Sequence, residues 1–460
     1  MAGPPSPATG ERTIDVAAVI ERQRLNGFVV RLVAISWLVT FFDGFDMLVL
    51  SFLAPYIRGQ FAIDPVQLGR LFGIGTMGAM FGGFAFGWLG DRWGRRPMII
   101  LSVLAFGLSS IALAFAGSFE ALMALRFANG VALGGLMPLA WALNIEYVPA
   151  RYRATVVTLI MMGYTIGGAI AGPLTVWLAP RFGWHSIFLL SGLVTLPLVA
   201  LLCWLLPESA RFLAVKRRSP RRIAHALNAI EPGLGAGAHD RFLVLDEKAG
   251  AAPRDRFRVA SLFDGALRTT TPLLWIAYIG SSLAIYFKTS WGPILFEEVG
   301  FTRAEAAYIA SVTSVGGALA GLALMRFTDR AGPIAIALLP VLAVPALLLM
   351  GIAPLAKPGF ASLSLLSMMM IGGAHFGMHS IAGMFYPSAI RANGAGWATS
   401  IAKIGSIAAP LLGGYLLAAN LPPRHLFVLL SLAPAACAVA LVLLGRTYLR
   451  RDRRSLRPCP

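Results

Sequence analysis

The chain predicts an all-α integral membrane protein of twelve transmembrane helices, arranged as two pseudo-symmetric bundles of six. Three observations predict it. Of 460 residues, 57% are hydrophobic and only 13% charged, with a mean hydropathy of +0.73, which no water-soluble globular composition reaches. Apolar stretches of at least about 18 residues, the length needed to cross a bilayer, recur along nearly the whole chain. The two halves also align with each other, without a gap, at a fixed offset of 238 residues.

The spans are expected at 28–57, 66–90, 97–117, 120–145, 153–179 and 186–206, then at 269–297, 304–327, 332–354, 360–385, 392–419 and 424–446. Residues 1–27 hold Glu11, Arg12, Asp15, Glu21, Arg22 and Arg24 without an apolar core, and are expected to be a cytoplasmic tail, not a signal peptide. Residues 28–206 and 269–446 form the two bundles. Between them, 207–268 carries KRRSPRR at 216–222 and GLGAGA at 233–238, and reads as a cytoplasmic linker with helix around Arg221 to Ile230. Residues 447–460 form a second cytoplasmic tail.

The net charge of +18 follows topology. With the N-terminus inside, 29 of the 39 lysines and arginines fall in or beside the inner segments, as positive residues mark the cytoplasmic face. The basic excess therefore excludes nucleic acid as a partner and points to the lipid bilayer. Cys203, Cys437 and Cys459 imply no disulfide framework.

In the aligned halves Pro55 falls on Pro293, and Asp91, Arg92 and Gly94 fall on Asp329, Arg330 and Gly332. Pro149 falls on Pro387, Arg153 on Arg391 and Gly167 on Gly405. An internal repeat of this size in a membrane protein reads as a secondary transporter. None of the five lysines follows a glycine, so there is no Walker A loop to drive an ATP-powered pump. No His/Cys spacing for a metal appears, and the linker is too short for a catalytic domain, so an enzyme is not expected.

FFDGFD (41–46) places two aspartates in the middle of the first span, where insertion costs roughly 2.5–3.5 kcal/mol each. Asp43 and Asp46 are three apart and share a helix face. A carboxylate in low dielectric can exchange its charge for a proton, so the pair reads as a protonation site, with a structural polar contact as the alternative. Arg126 enters its span at a matching depth, about 9 Å in at 1.5 Å per residue. An arginine cannot be neutralised by deprotonation and needs a carboxylate or an anionic substrate. Arg126 is expected to modulate the aspartates, or else to form a fixed ion pair with them. Their repeat mates are Ser281, Ala284 and Ser364, so this set occurs once.

GWLGDRWGRRP (87–97) is similar to the loop signature of the major facilitator superfamily, and RFANGVALGG (126–135) resembles its Arg-containing fourth span. With DGFD, EYVPARYR (146–153) and FYPSAIRANGAGWATSIAKIG (385–405), the chain resembles the aromatic acid:proton symporters of that superfamily, which import compounds such as 4-hydroxybenzoate. The resemblance implies the major facilitator fold, a bacterial inner-membrane location, a monomer, no cofactor, and protons as the coupling ion. It implies a small organic anion as substrate, most simply an aromatic carboxylate. A non-aromatic carboxylate, a sugar, a zwitterion or an exported drug stays open.

The resemblance also makes Gly87, Asp91, Arg92, Gly94 and Arg95 a conformational latch, with Asp329 and Arg330 as a weaker copy. Gly87 and Gly94 permit close packing, and Asp91 is placed to pair across the halves or to accept helix N-terminal amides. Glu146, Arg153 and Arg391 are expected in the same network. Where the family carries an arginine this chain has Lys403, well inside the eleventh span, and it is the expected anchor for a carboxylate. Lys288, His375 and His379 are further polar groups of the second half, Lys288 and His379 candidates for binding substrate, each with hydrogen bonding to a backbone carbonyl or snorkelling to an interface as the alternative. Tyr164 and Trp291 are candidates for substrate binding by stacking on an aromatic ring, as are Tyr286 and Trp397; Tyr164 ranks first, and for the others an interfacial belt or helix packing is the alternative.

Overall fold

The computed structural model describes residues 12–245, 259–265, 267–331, 333–381, 385–386 and 390–455. Of 321–322, 324–331, 333–335, 379–381, 391–392 and 448–455 it describes the backbone alone. Twelve helical segments make up the two bundles among the described residues. The first bundle comprises Gly27–Phe61, Pro65–Trp93, Arg95–Ala114, Phe119–Ile145, Ala150–Phe182 and His185–Leu205. The second comprises Leu267–Glu298, Arg303–Ala331, Pro333–Ile352, Lys357–Ile381, Arg391–Ala418, and Pro423–Leu430 continued by Leu432–Ser455. Ten are long and apolar enough to cross a membrane; Arg303–Ala331 and Pro333–Ile352 fill the places of spans eight and nine.

Local chemistry sets the helix ends. Asp64 accepts from the Gln67 amide at 2.7 Å while Gln67 Oε1 accepts from the Asp64 amide at 3.0 Å, with Pro65 at the first helical position. This reciprocal cap, worth about 1 kcal/mol, starts span two only a few residues after span one ends at Phe61. Gly135 interrupts span four, and Ser431 interrupts span twelve.

The repeat predicted by the 238-residue offset is visible in the packing. Span one lies against five, two against four, and three against six. Their counterparts pair in the same way: seven with eleven, eight with ten, nine with twelve. At Gly167 a side chain would collide with the Phe41 carbonyl, and at Gly405 with the Ile279 carbonyl. Both contacts are separated by the same offset, so the close crossing of spans one and five recurs between seven and eleven. Between the bundles, span two meets eleven and span five meets eight, again exchanged by the pseudo-symmetry.

The bundles share a hydrophobic core at the end far from the chain termini. Phe52, Leu53 and Phe72 of the first bundle pack there with Trp291, Leu295 and Ala307 of the second. At the terminal end the cores are separate: one gathers Phe86, Val103, Leu136 and Leu143, the other Tyr278, Ile336, Met378 and Leu444. The protein is closed at the far end.

Residues 12–22, read from sequence as a plain tail, are ordered instead. Strand β1 (Thr13–Asp15) pairs in parallel with β2 (Arg241–Leu243), and helix Val16–Arg22 follows it. Ile14, Val16, Val19 and Ile20 are buried with Phe212, Ile223 and Leu227, which is why the segment docks. The linker helix forms at Pro220–Ile230. Arg22 bridges to Glu231 at 3.0 Å, Asn26 Nδ2 donates to the Ile230 carbonyl at 2.7 Å, and Gln23 Nε2 donates to the Tyr147 carbonyl at 2.6 Å. Tail and linker thus fold together as a cap on the terminal end of the first bundle.

Candidate functional site

The centre of the first bundle holds an ion pair out of contact with solvent. Arg126 Nη1 donates to Asp46 Oδ2 at 2.6 Å and to Asn129 Oδ1 at 2.9 Å, and Nη2 donates to the Asp46 carbonyl at 3.3 Å. Asp46 is 2% exposed and Arg126 6%. Asn129, one turn beyond Arg126 on span four, is itself held by Ser109 and Ser110 of span three, at 3.1 and 3.2 Å. Removing one member of such a pair leaves an uncompensated buried charge, at a cost of about 3–5 kcal/mol.

Asp43 stays outside this ion pair and is only half-buried. It lies within electrostatic reach of Asp46 and of Lys403, which comes from the other bundle. Tyr164 is within reach of Tyr286, Asp43 and Asp46. Gly44 makes this possible: a side chain there would strike the Tyr164 carbonyl, so only glycine between the aspartates lets span one lie flush on span five. The structure therefore gathers Asp43, Asp46, Arg126, Tyr164 and Lys403 from spans one, four, five and eleven. Tyr286, ranked low on sequence, joins them from span seven.

At the terminal end Arg95 is the hub. Its Nη2 meets Asp91 Oδ1 at 2.9 Å and Glu146 Oε1 at 3.1 Å, and its guanidinium stands 5.2 Å from the Phe212 ring centroid. Burial pushes the Glu146 carboxyl up from its ordinary range, against a Ser209 hydrogen bond and the charges of Arg95 and Arg211. Among the described residues Asp91 pairs within its own turn. The helix N-terminal amides expected to reach Asp91 go to Glu208, whose Oε1 accepts from Arg95 N at 3.0 Å, Arg96 N at 3.3 Å and Ser209 N at 2.9 Å. The N-terminus of a helix favours a negative charge, and Glu208 is delivered there by the end of span six. Gly94 turns the chain with φ 117°, and a side chain at Gly94 would collide with that same carboxylate. Gly87 does not make the close packing expected of it, because nothing lies within 4 Å of where its Cβ would stand. Arg92 lies 5.6 Å from the Trp88 ring centroid, and Arg153 donates to the Val148 carbonyl at 3.1 Å. The side chains of Asp329, Arg330, Arg391 and His379 lie outside the described ones.

In the second bundle Lys288 is buried and donates to the Ser364 carbonyl at 2.8 Å and to Ser367 Oγ at 2.6 Å. His375 Nδ1 is 2.9 Å from Ser281 Oγ, the repeat mate of Asp43. Trp291 is 1% exposed, donates to the Pro410 carbonyl at 3.0 Å and packs edge-on against Phe72 of the first bundle. Its ring is committed to the far-end closure, in place of the ring stacking read from sequence. Above it, facing away from the termini, opens a vestibule of about 510 Å³ that includes Arg58, Glu297 and Arg303.

Sequence reasoning missed Asn129, Glu208 and the serines around Lys288. Asn129 was findable as a polar residue three positions after Arg126, on its face. Glu208, directly after span six in PESARF, was findable as an acid where basic residues dominate.

Fold and site together define a multi-pass membrane transporter of two repeated bundles. The chain belongs to the Major Facilitator Superfamily, whose family profile matches residues 36–382. It is 36% identical over 445 residues to the 4-hydroxybenzoate transporter PcaK of Pseudomonas aeruginosa, covering 96% of this chain and 98% of that protein. To the gallate transporter of Pseudomonas putida it is 33% identical, covering 95% and 96%, and to the benzoate transport protein of Acinetobacter baylyi 28%, covering 98% and 95%. Among solved structures, a bacterial homolog of the human lysosomal transporter Spinster, inward-facing and occupied, superposes with a TM-score of 0.67 at 18% identity, covering 93% of this chain and 99% of that one. The protein is thus a membrane transporter related to aromatic-acid transporters, not an enzyme.

Proposed function

We propose that the protein imports an aromatic carboxylate of the benzoate or 4-hydroxybenzoate type together with protons, by alternating access. The observation that carries this reading is the Asp46–Arg126 ion pair with Asp43 beside it, in no ion pair among the described residues, and Lys403 of the other bundle within its electrostatic reach. Titratable carboxylates in one bundle and a cation in the other are what coupled binding of a proton and an anion requires. Proton binding at the aspartates loosens the hold of Asp46 on Arg126, and proton loss restores it. Lys403 takes the substrate carboxylate, with Tyr164 and Tyr286 beside the ring. The names of the relatives, which carry 4-hydroxybenzoate, gallate and benzoate, support the same class.

A monoanion entering against a negative-inside potential is opposed by about 2.3 kcal/mol per 100 mV. Co-transported protons cancel that term and add the pH gradient. The distribution of basic residues supports cytoplasmic termini in a bacterial inner membrane; on that reading the closed far end faces outward and this state faces inward. The bundles 28–206 and 269–446 rock about the seam, with 207–268 joining them and the Arg95–Asp91–Glu146 cluster latching the cytoplasmic end. The unit is a monomer that uses protons and no other cofactor.

The test is uptake of labelled aromatic acids by reconstituted protein with and without an uncoupler. Accumulation that vanishes with the uncoupler is expected; equal uptake in both conditions refutes proton coupling. Lys403→Ala should raise the half-saturating concentration about tenfold while Lys403→Arg is tolerated, since losing a charged hydrogen bond costs about 1.5–3 kcal/mol.

A further inference from the structure

Lys288 is a cation in the wrong company. It is 7% exposed, and among the described residues it makes no ion pair; its recorded partners are a carbonyl and a hydroxyl. An ammonium has three hydrogens to donate, and these partners account for two. The fully buried Ser364 hydroxyl beside it has no partner among the described residues.

Lys288 lines a cavity of about 20 Å³ at the seam of the two bundles, walled by Leu48, Ser51 and Phe52 of span one and by Thr313 and Ser314 of span eight. A single water-sized group needs roughly 10–15 Å³, so the space matches one hydroxyl better than the two oxygens of a carboxylate. The hydrogen bonding of the walls agrees. Ser51 donates to the Leu48 carbonyl at 2.7 Å, and Thr313 and Ser314 donate to the Ala310 carbonyl at 2.8 and 3.0 Å. Their protons are used within their own helices, so what they offer the cavity is lone pairs. One ammonium donor facing several acceptors suits a group that both accepts and donates. An anion has no hydrogen for those lone pairs; a phenolic hydroxyl has one.

Lys288 also lies seven residues beyond Ser281, the repeat mate of Asp43, or about 10 Å further toward the closed end at 1.5 Å per residue. The two levels are thus separated by an axial distance that an aromatic ring substituted at both ends, with a hydrogen bond at each, can bridge. We propose that the Lys288 cavity is the subsite that reads a ring hydroxyl of the substrate, while Lys403 holds the carboxylate. Lys288 with Ser51 and Thr313 then sets the preference for hydroxylated over plain aromatic acids. This inference rests on the aromatic-carboxylate reading above.

The experiment measures half-saturating concentrations for benzoate and 4-hydroxybenzoate in reconstituted wild type, Lys288→Met, Ser51→Ala and Thr313→Val. Lys288→Met should raise the value for 4-hydroxybenzoate about tenfold, the effect of losing one hydrogen bond to a charged group, and leave that for benzoate within about twofold. The two smaller variants keep the question open to refutation if Lys288→Met does not fold: each should weaken the hydroxylated compound alone. Equal change for both compounds, or none in any variant, overturns the subsite and leaves the transport reading standing. A wild type that takes up neither compound overturns the transport reading and the subsite with it.

Discussion

At the scale of single residues, Asp43 and Asp46 differ although the sequence presents them as a pair. Asp46 is locked to Arg126 by a side-chain contact of 2.6 Å and a second bond to its own carbonyl. Asp43 has no such partner among the described ion pairs and looks toward Lys403. Both should be needed for coupling, but only one for stability. Asp46→Asn leaves Arg126 buried without a counter-charge, a loss of about 3–5 kcal/mol, and should melt at a clearly lower temperature in detergent. Asp43→Asn should melt like wild type. Both should lose uphill accumulation in proteoliposomes while still exchanging labelled for unlabelled substrate. Retained accumulation in Asp43→Asn would remove Asp43 from the coupling set. That these residues lie together was legible in the chain, because charges inside hydrocarbon are conspicuous and their depths can be counted at a fixed rise per residue. Which aspartate the arginine takes was not, because three residues along one helix face differ by only about 5 Å in depth.

At the scale of elements, the turn from span two into span three shows a helix start held from outside. No side chain within span three caps it, and the chain enters through Gly94 at φ 117°. Glu208 supplies the missing acceptor to two successive amides, and Tyr147 Oη donates to the Glu208 carbonyl at 2.5 Å, tying the ends of spans three, four and six together. Gly94→Ala combines a left-handed backbone with a collision against that carboxylate, so it should cost about 1–3 kcal/mol and lower the melting temperature. A second change, Glu208→Ala, should add little on top of it, because both act on one contact; full additivity in a double-mutant cycle would show that the two act separately. The helices themselves were legible from hydropathy to within a few residues. The strand pair at Thr13–Asp15 was not, since three residues carry no readable alternation and their partner is more than 200 residues away.

At the scale of the whole molecule, alternating access requires that the far-end core come apart while contacts form at the terminal end. The fixed 238-residue register makes the contacts of spans two with eleven and five with eight images of each other, so one entails the other. Which end is closed has no trace in the sequence: the same residues must serve both states. Trp291 is the largest fully buried side chain of that closure. Part of its contact is with its own bundle, at Pro410, and survives opening; the edge-on contact with Phe72, at 5.5 Å between centroids, crosses the seam and does not. Trp291→Ala should therefore penalise only the closed far end, by on the order of 1.5 kcal/mol, which is roughly tenfold in the ratio of states. A cysteine at Gly73, whose Cβ would stand 3.5 Å from Leu411 across the seam, reports the opening. In a background freed of reactive native cysteines, a membrane-impermeant maleimide added from the far side should label Gly73→Cys about ten times faster in Trp291→Ala than in its parent. Equal rates would mean that the tryptophan fills space within its own bundle and that the other contacts across the seam, at the crossings of spans two with eleven and five with eight, hold it closed.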